Sequence, residues 1–261
     1  MHAGEAAAAV SATTGGEPAA AADPFDEGLR IVRLAGEADL DVRLLGGVAV
    51  GLRCPSARRA PLARTYKDID FIARGRDRRR VEDLFSAAGY RPETEFNTLH
   101  GQHRLFFFDP HHEREADVFL DVVSMCHELD LRERVAVAQE TLPLADLLML
   151  KLQVVEAGER DLKDAVALIA DHGFSQDGID LDYIGAILGG DWGWWRTATL
   201  ALERLEKFAR ELPGLERRDV VAERIREALQ SVEAAPKTRR WKLRAKVGTR
   251  VRWYELPEEA L

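Results

Sequence analysis

The spacing of apolar residues predicts alternating helices and strands in the first part of the chain. Apolar residues three and four positions apart indicate an amphipathic helix over residues 28–40. The short apolar run Val42–Leu45 is typical of a strand, and residues 48–52 predict the helix that follows. Prolines and arginines are frequent in residues 53–66, so we expect a loop there.

The next segments extend this pattern. Residues 67–73 alternate polar and apolar side chains, which predicts a strand, and residues 77–88 predict a helix that ends at Gly89. Two more strands are expected over residues 104–108 and 116–123. The order helix, strand, helix, strand, helix, strand, strand indicates a mixed α/β sheet.

After about residue 140 the spacing of apolar residues becomes helical. The predicted helices cover residues 144–156, 162–171, 181–188, 196–211 and 218–232. Residues 239–254 are basic with alternating apolar positions, a pattern that fits either a strand or a helix. The predicted fold class is therefore α/β (α+β), with an α/β domain over residues 24–140 and a mainly helical C-terminal region over residues 141–261.

Composition and charge narrow the class of protein. The 261 residues are 46% hydrophobic, and the net charge of −8 argues against a uniformly basic nucleic-acid binder. No apolar run approaches the roughly 18 residues that span a bilayer, so no membrane partner is expected. Cys54 and Cys126 are too few for a disulfide framework, and residues 1–22 lack the pattern of a secretory signal. We expect a cytoplasmic protein with a disordered tail over residues 1–23.

Gly46 and Gly47 lie at a predicted junction between a strand and a helix. Glycine allows a sharp turn and a close approach of the backbone to a ligand. The first turn of the new helix offers free N–H groups and a positive dipole end, which suit a phosphate group. The same glycine pair is also common in ordinary turns.

Asp68 and Asp70 flank Ile69 within a predicted strand. Alternate residues of a strand share a face, which places the two carboxylates about 7 Å apart along it. Such carboxylates repel each other unless a cation lies between them, and Mg²⁺ prefers carboxylate and phosphate oxygens. A solvated outer face is the alternative interpretation, but the apolar neighbours favour a buried strand.

A third acidic residue lies on a later predicted strand. Asp117 and Asp121 share one face of it, with apolar residues on the other. Either carboxylate would complete a triad with Asp68 and Asp70 if the two strands are neighbours. Asp117 is preferred because it lies near the same strand end as the first two, and Asp121 is the alternative.

These three features, in this order, resemble the signature of the nucleotidyltransferase superfamily. The signature is a glycine turn, a DxD strand and a third strand acid, matched here by residues 45–47, 68–71 and 116–118. Residues 142–152 and 160–164 are also similar to a stretch found in AbiEii-type nucleotidyltransferases, which include toxin components of toxin–antitoxin systems. The resemblance covers residues 42 to about 172, half of the chain.

Two departures from the superfamily pattern are visible. About twenty residues separate Gly47 from Asp68, which is longer than usual and suggests an inserted loop that carries arginines. The second glycine replaces a frequent serine, so a hydroxyl that often meets the phosphate is absent. Neither departure removes a carboxylate of the expected metal site.

The resemblance implies an enzyme that moves a nucleoside monophosphate from an NTP to a hydroxyl acceptor with two Mg²⁺ ions. Asp68, Asp70 and Asp117 would hold the metals, and Asp117 would also be placed to take the acceptor's proton. Gly46 and Gly47 would cradle the β- and γ-phosphates.

Several other residues carry weaker expectations. Lys151 lies within an apolar helical stripe, so it either reaches the solvent at its edge or, as the resemblance implies, meets the triphosphate. Arg104 would meet a phosphate or be a surface residue. Asp161 is predicted as a helix N-cap with Asp164 at the third helical position, and contact with Lys151 is the alternative. The tryptophans after Asp191 favour a capped helix with core side chains over a base-stacking platform.

The acceptor and partners are open at this level. RNA, such as a tRNA 3′ end, or a protein would be the acceptor of a toxin-type enzyme, and an antitoxin protein would be its partner. Basic segments lie at residues 53–80 and 237–252, and the second is followed or interrupted by Trp241, Trp253 and Tyr254, which suits single-stranded nucleic acid. The alternatives are a small-molecule (antibiotic) nucleotidyltransferase and a catalytically silent nucleotide-binding module.

Overall fold

The computed structural model describes residues 20–256, which form a mixed α/β sheet followed by a helical C-terminal region. This confirms the predicted fold class. The strands are β1 (Val42–Leu45), β2 (Asp68–Ala73), β3 (Arg91–Pro92), β4 (Arg104–Asp109), β5 (Arg114–Leu120), β6 (Val122–Ser124) and β7 (Glu128–Asp130). The helices are α1 (Pro24–Glu37), α2 (Gly46–Arg53), α3 (Arg78–Ala87), α4 (Thr94–His100), α5 (Leu144–Leu152), α6 (Glu159–Asp171), α7 (Leu181–Gly190), α8 (Trp192–Glu211), α9 (Arg218–Ala234) and α10 (Arg239–Val247). Residues 1–19 of the predicted tail lie outside the described part.

The strands form one sheet whose central path is β1-β2-β5-β4-β3, with β6 and β7 joined to β5 in turn. β2 and β5 are parallel, and the other neighbours are antiparallel. The register pairs Asp70 with Leu45 on one side and with Asp117 on the other. The acidic residues of β2 and β5 are therefore fixed side by side by the backbone pairing.

The two faces of the sheet differ in chemistry. Phe71 and Phe107 on one face pack against Phe85 of α3, and this face is apolar and buried. The opposite face carries the acids of β2 and β5 and the basic Arg104 of β4. Because side chains alternate along a strand, the same residues that build the core leave the polar ones on the second face.

The helical C-terminal region shares the hydrophobic core with the sheet. The buried cluster runs from Phe25 in α1 to Val232 in α9. Within residues 20–256, none of the helices combines the length and the apolar character that a membrane span requires.

Some predicted element ends differ from the observed ones, for identifiable reasons. β5 ends at Leu120 and not at residue 123, because Asp121 adopts a left-handed backbone with φ of 63° and turns the chain. α8 begins four residues earlier than predicted, at Trp192, because the Asp191 carboxylate accepts the Trp194 N–H as the N-cap. Residues 239–254, for which the sequence pattern fitted either a strand or a helix, form α10, a 3-10 turn over Gly248–Arg250 and then chain without regular secondary structure.

Candidate active site

Asp68, Asp70 and Asp117 come together on the open face of the sheet. Asp68 and Asp70 share a face of β2, and Asp117 is the direct register partner of Asp70 on parallel β5. Asp68 is exposed, Asp70 is half-buried and Asp117 is buried. The structure thus places the three carboxylates on the same face of two neighbouring strands.

The clustering changes the acidity of Asp70. Burial, which has the largest effect, and the charges of Asp68 and Asp117 together raise the pKa of this carboxyl to about 7, against the opposing effects of Lys151 and Arg104. The charged form of Asp70 is therefore unfavourable until positive charge arrives. A divalent cation would supply that charge.

The glycine turn lies directly against this cluster. Gly46 opens α2 with a positive φ of 66°, and a side chain at this position would overlap the Asp70 carboxylate. α2 has no side-chain cap at its N-terminus. Its first N–H groups, which lack intrahelical partners, therefore begin beside the carboxylates.

An arginine that sequence reasoning did not single out covers the second glycine. A side chain at Gly47 would overlap the Arg64 guanidinium. Arg64 makes two hydrogen bonds of 2.9 Å to Asp164 of α6 and lies 4.4 Å from the centre of the Tyr66 ring. Burial lowers the pKa of Arg64, but Asp164 outweighs that effect and raises it overall. Arg64 is thus a fixed positive charge at the start of α2.

Lys151 joins the same ion-pair network. Its Nζ lies 2.9 Å from Asp164 Oδ2 and 3.1 Å from Asp161 Oδ1, and its side chain is only 11% exposed. Lys151 is therefore buried in an ion-pair network and does not reach out to solvent. Asp161 makes this contact as the third residue of α6, whose N-cap is Gly158, so the prediction of Asp161 as the N-cap is wrong.

Arg104 reaches the site from β4. Its Nε lies 2.6 Å from Asp117 Oδ1, and its guanidinium faces the rings of Phe119 at 5.2 Å and Phe96 at 5.7 Å. Burial lowers the pKa of Arg104, but the hydrogen bond to Asp117 and the charges of the neighbouring acids together outweigh it and raise the pKa overall. Arg104 therefore lies at the cluster, where it is ion-paired with Asp117; its contact with a phosphate stays a prediction.

The donor chemistry of the three carboxylates suits Mg²⁺, with one condition. Across residues 20–256, no three His, Cys, Asp or Glu side chains already stand in a geometry ready to hold a metal ion. At this cluster, Arg104 donates a hydrogen bond to Asp117 Oδ1. Release of Arg104 would make both oxygens of Asp117 available to a cation.

Asp121, the alternative third carboxylate, is not brought to the cluster. It follows the far end of β5, and its Oδ1 accepts the Gly75 N–H at 3.0 Å. Asp70 is the third residue of β2 and Asp117 is the middle residue of β5, whereas Asp121 lies beyond the C-terminal ends of both strands. Its carboxylate holds the turn that follows β2.

The aromatic residues of the basic C-terminal segment pack inward. Trp241 contacts Trp195 edge to face at 5.1 Å, and Trp253 donates its Nε1–H to Thr197 Oγ1. Trp192 and Trp194 are buried, as the predicted capped helix requires. The rings of this segment are therefore occupied by protein contacts. Lys237 and Arg244 are half-buried and bond to backbone carbonyls, while Arg239, Arg240, Lys242 and Lys246 are exposed.

A surface cavity of about 410 Å³ lies elsewhere, lined in part by Asp41, Arg43, Asp77 and Arg80. Its arginines pair with its own acids or with backbone carbonyls. This cavity contains none of the clustered carboxylates.

Comparisons with known proteins identify no family for this chain. No protein-family model matches the chain, and no curated protein does. Among solved structures, the antibiotic-resistance factor ANT(2'')-Ia, determined in solution, is similar, with 14% identity over 80% of this chain and 93% of that chain. The TM-score is 0.35, which is too low to assign a fold family or a function to this chain.

Proposed function

We propose that this protein is a metal-dependent nucleotidyltransferase. The observation that carries the proposal is the register of β2 and β5, which sets Asp117 beside Asp70 while the Gly46 backbone touches the Asp70 carboxylate. Carboxylates alone would suit many metal sites. Carboxylates beside an uncapped helix start with a fixed arginine suit a metal-bound triphosphate.

The helix start and the basic residues of the site would bind different phosphate groups of the NTP. The N–H groups at the start of α2 and the Arg64 guanidinium over Gly47 would hold the β- and γ-phosphates. Lys151, fixed by Asp164, would add a second positive charge on that side. Arg104, released from Asp117, would be available to a phosphate oxygen near the reacting phosphorus.

The acids divide the work at the reacting centre. Asp68, Asp70 and Asp117 would hold two Mg²⁺ ions, which when bound stabilise charge on the entering and leaving oxygens. The acceptor oxygen forms a bond to the α-phosphorus, the bond to the β-phosphate oxygen breaks, and pyrophosphate leaves. Asp117 would receive the proton of the acceptor hydroxyl.

The finer assignment is an enzyme of the AbiEii-like branch that modifies RNA or protein in the cytoplasm, with an antitoxin protein as its partner. Its support is the sequence stretch that supplies Lys151, Asp161 and Asp164, the three residues that meet beside the glycine turn. The basic side chains of α10 and the segment after it offer an outward surface for an RNA backbone.

The test is transfer of label from each of the four α-labelled NTPs, in the presence of Mg²⁺, to total tRNA, to cell proteins and to an antibiotic panel. We expect one acceptor class to be labelled by the wild type and not by Asp70→Asn. Parallel reactions with γ-labelled NTPs should label nothing, because the γ-phosphate leaves in pyrophosphate. Labelling from the γ position would instead show phosphoryl transfer, and no labelling from any NTP would refute the proposal.

A further inference from the structure

The order of strands across the sheet gives the site two sides. The glycine turn and Arg64 lie at the β1 side, Asp68 and Asp70 lie on β2, Asp117 lies on β5, and β4 lies beyond it. In an in-line displacement the entering oxygen lies opposite the leaving pyrophosphate. If pyrophosphate leaves on the β1 side, the acceptor has to enter from the side of β4 and α4.

That side is lined by aromatic rings. Phe119 lies two residues after Asp117 on β5 and so on the same face, and Phe106 is the register partner of Asp117 on β4. Phe96 of α4 lies 5.9 Å from the Phe106 ring and 4.8 Å from that of His100. All three phenylalanines are half-buried, with part of each ring open to solvent on the polar face of the sheet. We name this group the ring patch: Phe96, Phe106 and Phe119.

A flat group already lies against the ring patch. The Arg104 guanidinium faces both Phe119 and Phe96 while it is bonded to Asp117. If Arg104 leaves Asp117 for a phosphate, the space beside these rings that the planar guanidinium occupies becomes free for another planar group. A nucleobase is a planar group that stacks on aromatic rings without regard to its identity.

We propose that the ring patch is the acceptor subsite and that it stacks the base of a nucleoside whose hydroxyl lies at Asp117. This rests on the proposed function and adds to it the chemical class of the acceptor. The spacing favours a nucleoside over a tyrosine side chain. In a nucleoside, a sugar separates the hydroxyl from the ring, and Phe119 likewise lies about 7 Å along the strand from Asp117.

The first test measures binding without turnover. A single-stranded RNA trinucleotide that ends in 2-aminopurine, and free 2-aminopurine riboside, are titrated with the full chain in the presence of Mg²⁺ and an NTP analogue that cannot be cleaved between the α- and β-phosphates, so that Arg104 can leave Asp117. Quenching of the 2-aminopurine fluorescence is recorded. Phe96→Ala should weaken binding about 5- to 100-fold, whereas Phe96→Trp should bind as tightly as the wild type or more tightly. Leu99→Ala, on the same helix and 71% exposed, is the matched control and should change nothing.

The outcomes separate the sources of the base and the two proposals. Tighter binding of the trinucleotide points to an RNA end, and equal binding points to a free nucleoside; both support the subsite. Equal affinities of wild type and Phe96→Ala would overturn the proposed subsite. Labelling of a protein or an antibiotic, without any binding of a nucleoside, would overturn it too. Binding that depends on Phe96, in a protein that transfers no label from NTPs, would refute the proposed function and leave the ring patch as a site that binds a base but serves no transfer reaction.

Discussion

Asp70 on β2 and Asp117 on β5 are register partners on parallel strands, with their side chains on the same face of the sheet. The arrangement is electrostatically costly without a cation, and burial adds to the cost. The protein nevertheless keeps both acids beside a glycine whose backbone is fixed against Asp70. A bound cation would relieve the repulsion between these two carboxylates, so the site favours positive charge.

The first prediction concerns pH and Asp70. Because the folded pKa is raised from 3.8 to about 7, the folded protein holds a proton that the unfolded chain releases earlier. Metal-free stability should therefore fall as pH rises from about 4 through 7 and level off above it. Asp70→Asn should remove this fall and be more stable than the wild type by about 4 kcal/mol near pH 8. Urea unfolding with EDTA at several pH values measures it; identical pH profiles would contradict the account.

The second prediction concerns Gly46. Alanine at this position would adopt an unfavourable left-handed backbone and press its Cβ into the Asp70 carboxylate. We expect Gly46→Ala to lose about 2 kcal/mol of stability and to lose Mg²⁺-dependent NTP binding. Gly36→Ala is the control, because nothing lies near that position of α1, and it should stabilise by about 0.5–1 kcal/mol. Thermal unfolding and calorimetric NTP titration check both, and normal NTP affinity in Gly46→Ala would argue against the phosphate cradle.

The third prediction concerns Arg64. Its two hydrogen bonds to Asp164 depend on the planar guanidinium, so Arg64→Lys should not restore what Arg64→Ala loses. Both variants should raise the KM for the NTP about tenfold or more, with a smaller effect on the KM for the acceptor. Arg59→Ala, in the same loop and exposed, should behave as the wild type. An unchanged KM for the NTP in Arg64→Ala would remove Arg64 from the site.

The fourth prediction uses the double role of Arg104. Arg104→Gln frees the Asp117 carboxylate from its 2.6 Å ion pair. Binding of Mn²⁺ alone should therefore become tighter, while binding of the NTP with the metal becomes weaker by a few-fold to tenfold. Opposite changes in two titrations cannot come from a general loss of structure. Mn²⁺ affinity that falls together with NTP affinity would show that Arg104 supports the site only as packing.

Local patterns carried much of the prediction. Strand β1 and the Asp68–Asp70 strand follow from alternation and short apolar runs, which depend only on neighbouring residues. The resemblance in residue order then placed Gly46, Asp70 and Asp117 in one site, and the register brings them together. Helix α4 was not predicted, because Asn97 is its one buried residue and the helix has no apolar stripe.

What the sequence did not reveal depends on contacts between distant residues. Arg64 and Asp164 are 100 positions apart, and nothing in the local pattern of either residue indicates that they pair. Phe96 and Phe119 are also far apart in the local pattern and come near each other only in the fold, where the Arg104 guanidinium faces both rings. A loop arginine and a short exposed helix gain their roles only when the fold brings them to the carboxylates.

The most direct test of the account is a crystal structure with Mn²⁺ and a non-hydrolysable NTP, in which anomalous scattering locates the metal. We predict manganese between Asp68, Asp70 and Asp117, a triphosphate at the start of α2 beside Arg64, and Arg104 turned away from Asp117. Manganese bound elsewhere, or a nucleotide that leaves the Arg104–Asp117 pair intact and the three carboxylates without metal, would contradict it.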